Sequence, residues 1–344
     1  GNAVNFDEFD QKPPINDKLT VVYQREIWNK MVLSVDYFFN YGTRLPQTVD
    51  LNAVDPAYFY SVPRSEWNIT VNNPFRNYLT ANVFPGTLRN STTVAATQLL
   101  RPYPMYQAIN QTNTDLRKSM VQSLKIQVQQ PAYKGLIFTF AYAINDERTK
   151  EAFDDQALFD RQFTWIPTDA ARHRFTNVIT WDIPVGKGKM LLGNAPKVVD
   201  YILGGWRLSN SSRYYSGRLL RFGFGTKLNI SGNPVLENPT NDRWFDTSVF
   251  SAVNETTALQ LRTNPWTFKG LVGPSTFQTD ATLTKSFAIR EKMKLEARLE
   301  VYNVLNNINW ENPNTTFGNA NFGKVISKRG AYVGREIQYG LRFV

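Results

Sequence analysis

The sequence predicts an all-β chain that forms part of an antiparallel transmembrane β-barrel: about nine or ten strands of a larger closed sheet, with long loops at one end. Three observations carry this prediction. Apolar residues recur with a period of two over segments of about ten residues. The links between those segments alternate between short and long. No run reaches the roughly 18 consecutive apolar residues that a spanning helix needs, so any crossing of a bilayer is made by strands.

The series opens with DKLTVVYQRE, where Leu19, Val21 and Tyr23 share one parity. In MVLSVDYFFNY the set Met31, Leu33, Val35, Tyr37, Phe39 and Tyr41 opposes Ser34, Asp36 and Asn40. MVQSLKIQVQ places Leu124, Ile126 and Val128 against Ser123, Lys125 and Gln127, and GLIFTFAYA places Leu136, Phe138, Phe140 and Tyr142 against Thr139, Ala141 and Ala143. FTNVITWDI sets Phe175, Ile179, Trp181 and Ile183 against Thr176, Thr180 and Asp182, and GGWRLSNSSRYYSG adds Trp206, Leu208 and Tyr214. FQTDATLTKSF gives Phe277, Ala281, Leu283 and Phe287 against Gln278, Asp280, Thr282, Thr284 and Ser286. REIQYGLRFV gives Ile337, Tyr339, Leu341 and Phe343 against Glu336, Gln338 and Arg342.

KMKLEARLEVYNVLN, Lys292 to Asn306, is rich in strong helix formers. A helix would gather Leu295, Leu299 and Tyr302 but wrap Met293, Ala297 and Val301 around its girth. A strand sorts every residue: Met293, Leu295, Ala297, Leu299 and Val301 on one face, and Lys294, Glu296, Arg298, Glu300 and Tyr302 on the other. The strand is therefore preferred. Segments of about ten residues suit a tilted bilayer crossing, whereas soluble strands average about five or six.

Short links are IWNK, QPAYKG and IREK; PVGKGKMLLGNAPKVVDYILGG interrupts the short set. The long links run over roughly Gly42 to Ser119, Asn145 to Ala170, Arg218 to Ser275 and Asn306 to Gly334. Short turns on the periplasmic side and long loops outside are the pattern of outer-membrane barrels, which have an even number of strands. Counting back from the C-terminus, nine strands imply at least one more before Asp17, so residues 1–344 are expected to be the C-terminal portion of a larger barrel.

Composition narrows the alternatives. Cysteine is absent, which removes disulfides, thiolate catalysis and Cys-based zinc sites. The net charge of +10 comes from basic residues scattered among 29 acids, without the clustering that phosphate binding requires, so nucleic acid is not an expected partner. The opening GNAVNFDEFDQKPP lacks the basic and apolar regions of a signal peptide. Aromatic residues reach 14%, and Tyr37, Tyr41, Tyr142, Trp181 and Tyr339 suit interfacial girdles. A different class, a secreted or surface adhesion or structural protein, would have the oily strand faces meet in a sandwich.

Several blocks carry a family resemblance: YQREIWNKMVLSVDYFFNYGTRLPQTVDLNAVDPAYF, QLLRPYP, HRFTNVITWDIPVGKGK, LGGWRLSNSSRYYSG and LEARLEVYNVLNNINW. In order, and over nearly the whole chain, they resemble the C-terminal barrel of TonB-dependent receptors. The Oar-like subgroup, which bears a carboxypeptidase-regulatory-like domain ahead of its plug, is the nearest pattern. The resemblance implies a 22-stranded barrel in the bacterial outer membrane, filled by an N-terminal plug, that imports a scarce solute with energy relayed by the TonB complex. The implied partners are outer-membrane lipid, the plug, TonB, the barrel-assembly machinery and that solute. Residues 1–344 show no plug, TonB box or regulatory-like domain, so energised transport is expected of a parent protein. Outer-membrane proteins commonly end in an assembly signal, polar-x-Gly-x-x-aromatic-x-aromatic. Gln338, Gly340 and Phe343 match its first three fixed positions, and the final aromatic would be residue 345.

No enzyme, cofactor or metal is expected. His173, the single histidine, reads as a wall residue between Arg172 and Arg174 rather than as part of a triad, which leaves an outer-membrane hydrolase without a partner set. Asp280, Glu296 and Glu300 read as lumen-facing residues paired with Lys294, Arg298 and Arg342 across neighbouring strands, rather than as an acid-base pair. GKGK at Gly186–Lys189 misses the phosphate-loop pattern and reads as a basic turn. Acid-rich NDERTKEAFDD at Asn145–Asp155 lacks the spacing of an EF-hand and suggests at most loose cation binding. The triplets at Asn90, Asn229 and Asn254 reflect Asn/Thr-rich loops. Trp67, Trp244 and Trp266 are the loop residues suited to stacking on a solute.

Overall fold

The computed structural model describes the chain except residues 56–57, 59–60, 63–65, 67–68, 152–163, 223–227, 253–264, 291–292 and 331–332. In chain order the strands are β1 Val4–Asp7, β2 Ile15–Trp28, β3 Met31–Asp50, β4 Thr70–Asn72, β5 Thr93–Ala95, β6 Ile109–Tyr133, β7 Leu136–Glu151, β8 Thr164–Pro167 and β9 His173–Asp182. They continue as β10 Trp206–Tyr215, β11 Leu219–Arg221, β12 Leu228–Ile230, β13 Phe250–Ala252, β14 Thr267–Val272, β15 Thr276–Arg290, β16 Met293–Tyr302 and β17 Glu336–Phe343.

Nine of these form one continuous antiparallel meander in the order β17-β16-β15-β10-β9-β7-β6-β3-β2. They are the nine expected segments. The register keeps each parity on one side across the whole sheet. Leu208 lies opposite Trp181 and Leu283, Leu283 opposite Leu299, and Leu299 opposite Tyr339. The other face reads Thr180, Ser209, Thr282, Glu300 and Gln338 along the same direction. The sandwich alternative needs a second sheet over the apolar face. Among the described residues the remaining ladders are two-stranded (β4-β5, β11-β14, β12-β13), apart from β1 on β6 and β8 on β7.

The turns at the short-link end follow from the twist of their strands. Trp28 pairs with Met31 around Asn29 and Lys30, and Tyr133 pairs with Leu136 around Lys134 and Gly135. All four turn residues have positive φ, the type I′ geometry that matches right-handed strand twist. At Gly135 a Cβ would stand 2.4 Å from the Asp182 carbonyl oxygen, so the neighbouring hairpin excludes any side chain there.

The long links differ from expectation. The hydrogen-bonded ladder extends into them: β3 continues to Asp50 and β6 starts at Ile109, shortening the 42–119 link from both sides. The links also carry cores of their own. Phe84, Leu88 and Val94 form one in the β3–β6 link, and Leu220, Phe222, Leu228, Phe245, Phe250 and Leu271 form a larger one in the β10–β15 link. Phe317 and Phe322, from the β16–β17 link, pack on the larger core.

Burial is thus inverted relative to a soluble domain. None of the buried apolar side chains among the described residues lies in the nine meander strands. On the apolar sheet face, away from the edge strands, Tyr37, Leu124, Ile126, Tyr142, Trp181 and Leu208 are exposed. An uncovered apolar surface of this extent marks a partner surface, and its alternation suits lipid.

Candidate functional site

On the polar face, the expected charged residues fall together on β15, β16 and β17. The register sets Glu296 opposite Arg342, Arg298 opposite Gly340, and Glu300 opposite Gln338. The ion pairs themselves run along the strand: Lys294 Nζ to Glu296 at 2.6 Å and Arg298 Nη2 to Glu300 at 2.9 Å. Of the expected cross-strand partners, Glu296 does face Arg342, whereas the register gives Arg298 only Gly340 and Thr284 as direct neighbours, neither a carboxylate. Asp280 accepts from Gln278 Nε2 at 3.1 Å and from the Asn303 backbone N–H at 2.8 Å, which fixes the end of β16 rather than joining a charge pair. True cross-strand pairs occur elsewhere on this face. Lys125 meets Asp36 at 2.7 Å, and Arg207 donates to Asp182 at 2.5 and 3.2 Å.

At the long-link end the strands open into two adjoining cavities. One, of about 330 Å³, is lined by Glu147, Pro167, His173, Ser216, Leu219 and Gly270 among others. Its neighbour, of about 530 Å³, is lined by Asp169, Arg174, Tyr215, Arg218, Pro274 and Arg329. Each guanidinium of the larger cavity has a carboxylate within reach: Arg174 to Glu147 at 3.5 Å, Arg218 to Asp169 at 3.7 Å and Arg329 to Glu311 at 3.8 Å. The lining therefore presents loosely paired charge, able to exchange partners with a polar solute. The sequence reading missed this set, because its members come from three links and have no local spacing.

His173 opens β9, with Tyr142 Oη at 2.7 Å from its Nδ1 and its backbone N–H donating to Ser216 Oγ at 3.1 Å. Those contacts place it in the wall at the rim. Trp244 donates to the Val272 carbonyl at 2.8 Å and packs on the large link core. Trp266 is only 4% exposed, with the Arg221 guanidinium 6.0 Å from its ring centre. Both are placed to hold the link together, and Trp266 offers no open face to a solute. Trp67 and Asn254 lie outside the described residues, as does residue 152 onward of the acid-rich stretch. The link core is further ordered by Asp246, whose carboxylate accepts from the Ser248 hydroxyl and backbone and from Arg243. Those bonds, the Ser248 hydroxyl first, hold the Asp246 carboxyl below its ordinary range.

Gln338, Gly340 and Phe343 lie on β17, the sheet edge, where Phe343 pairs in register with Leu295 and is exposed. The apolar face also contains side chains that alternation does not predict. Asn177, Asn210, Ser212 and Thr279 share the parity of Phe175 and Leu208 and satisfy one another. Asn177 donates to Asn210 at 2.9 Å, Asn210 donates to Thr279 at 2.8 Å, and the Ser212 and Thr279 hydroxyls are 2.8 Å apart. Lys285, on the same parity, donates to the Gly204 carbonyl and is 4% exposed.

A family model described as an outer membrane beta barrel domain matches residues 1–338. Among solved structures, the outer membrane transporter YddB from Escherichia coli has a TM-score of 0.42 at 9% identity, over 99% of this chain and 34% of that one. The ferric-catecholate import receptor Fiu from K12 E. coli has a TM-score of 0.40 at 10% identity, over 98% and 28%. The ferripyoverdine receptor of the outer membrane of Pseudomonas aeruginosa has a TM-score of 0.40 at 10% identity, over 96% and 27%. The chain spans about a third or less of the length of these proteins. A comparison with curated proteins gave no match. The nine-stranded meander, its uncovered apolar face and a family match that runs almost end to end lead to one conclusion: this chain belongs to the outer membrane beta-barrel domain family.

Proposed function

We propose that the chain is the C-terminal barrel portion of a TonB-dependent outer-membrane receptor of the Oar-like kind, whose plug and regulatory-like domain belong to the rest of a parent protein. In this reading the apolar face meets lipid, the polar face with Asp280, Lys294, Glu296, Arg298, Glu300 and Arg342 lines the lumen, and the long-link end is extracellular. Solute is captured in the two rim cavities and passes inward past the plug when TonB is energised. Gln338, Gly340 and Phe343 serve as the assembly signal read by the barrel-assembly machinery.

The observation that carries the reading is the conjunction of one parity kept in register over nine strands with both link cores at the same end. Both edge strands, β2 and β17, are exposed along their lengths, as expected where further strands complete a barrel. The test is uptake of a panel of labelled polar nutrients by intact cells carrying the full-length protein, lacking it, or lacking TonB. A solute whose accumulation falls in both deletions supports the reading, and uptake that survives loss of TonB contradicts it.

A further inference from the structure

The longest link at the short-link end, residues 183–205, is folded rather than slack. Val185 bridges Leu191, the Lys197–Leu203 helix follows, and Asp200 closes the fold by accepting from the Lys187 backbone N–H at 2.6 Å. The helix leans on the apolar side of the sheet. Tyr201 packs on Phe287 with ring centres 5.2 Å apart, and Trp206 Nε1 donates to the Ile202 carbonyl at 3.0 Å. Lys285 anchors its C-terminus through the Gly204 carbonyl, with its ammonium over the Trp206 and Phe287 rings.

This link buries little of its own apolar surface. Met190, Leu191, Leu192, Val198, Tyr201 and Ile202 are all exposed, Val198 by 71%. Val198, Tyr201 and Ile202 stand at i, i+3 and i+4, one helical stripe, while Asp200 points back into the link. The stripe continues a row of aromatic residues at the same end of the apolar face, formed by Trp28, Tyr133, Trp181, Trp206 and Phe287. Charge in the link is one-sided: Lys187, Lys189 and Lys197 are exposed, and the single acid, Asp200, is occupied by the Lys187 amide.

The geometry points to a monotopic membrane contact: the 183–205 link lies in the leaflet at the short-link end, its apolar stripe in the acyl boundary and its lysines on anionic phospholipid headgroups. An apolar stripe beneath a lysine-rich rim is the pattern of interfacial helices. The inference rests on the apolar face meeting lipid, and adds that this connection is a lipid-binding element rather than a turn in water.

The test uses nitroxide labels on the full-length protein in phosphatidylethanolamine vesicles containing phosphatidylglycerol, at Val198→Cys and Ile202→Cys, with Leu283→Cys and Thr284→Cys as references for the two sheet faces. Oxygen should relax the Val198 and Ile202 labels several-fold more than a water-soluble nickel chelate does, at a depth of about 5–10 Å. Joint replacement of Lys187, Lys189 and Lys197 by Gln should reduce that ratio in these vesicles and leave it unchanged in phosphatidylcholine. Nickel access at Val198 and Ile202 with an oxygen-accessible Leu283 overturns the proposal while the face assignment stands. Exclusion of both reagents at Val198 and Ile202 overturns it in favour of a protein cover. Insensitivity to the lysine replacements removes the anionic headgroup. Nickel access at Leu283 overturns the face assignment and the proposal with it.

Discussion

Asn177 donates its side-chain amide to the Asn210 oxygen at 2.9 Å within the mostly apolar face, on the parity of Phe175, Ile179 and Leu208. Asn210 is the hub, since it also donates to Thr279 and accepts from Ser212 at 3.2 Å. An apolar face tolerates polar groups only when they satisfy one another. Replacing Asn210 with Leu leaves Asn177, Ser212 and Thr279 short of partners, each orphaned group costing about 1–3 kcal/mol. The expected outcome is a clear fall in the urea midpoint of the refolded protein in detergent. A midpoint unchanged by Asn210→Leu would show that the cluster carries no weight.

This cluster also shows where legibility in the sequence stops. The nine strands were readable because period two is a property of each segment alone, and the lipid-like composition of one parity repeats nine times. The polar quartet was not readable, because Asn177 meets Asn210 and Ser212 meets Thr279 only through a register that joins residues 33 and 67 positions apart. Lys285 breaks alternation for the same reason: its partner carbonyl belongs to a link 81 residues earlier. The link cores and rim cavities were hidden because irregular segments carry no period. Trp244 and Trp266, expected as loop residues suited to stacking on a solute, are half-buried and buried in the β10–β15 link.

The charge pairs of β16 should matter far less to stability. The Arg298 side chain is 43% exposed and that of Glu300 is 24% exposed, and pairs of this exposure contribute about 0–1 kcal/mol. Glu300→Gln is expected to shift the same urea midpoint much less than Asn210→Leu. A comparable shift would place these residues in a role beyond wall structure.

Phe245 is fully buried at the centre of the β10–β15 link core, with Phe222 and Phe322 rings at 5.5 and 5.2 Å. Phe245→Ala should cost about 3–5 kcal/mol where it acts. That cost should fall on the link and leave the meander folded. Limited proteolysis of intact cells should then cut within residues 219–272 while the heat-modifiable mobility of the barrel persists. Loss of the barrel band would mean that link and wall fold as one unit.

Acid should loosen the same core at one point. The Asp246 carboxyl is held below its ordinary range, so its bonds to Ser248 and Arg243 favour the folded link above the unfolded value of about 4 and are lost as pH falls through the lower folded value. Amide exchange at Ser248, corrected for intrinsic rate, should accelerate below about pH 4. In Asp246→Asn that acceleration should be absent.

The central claim is that one face of the meander meets lipid and the other the lumen. It is tested most directly by quenching of a bimane label with brominated phospholipid, at alternate positions of β15, β16 and β17 in the reconstituted full-length protein. Labels at Leu283, Leu299 and Leu341 should be quenched, and labels at Thr284, Arg298 and Arg342 should not. Quenching without alternation, or confined to the charged parity, would contradict the account.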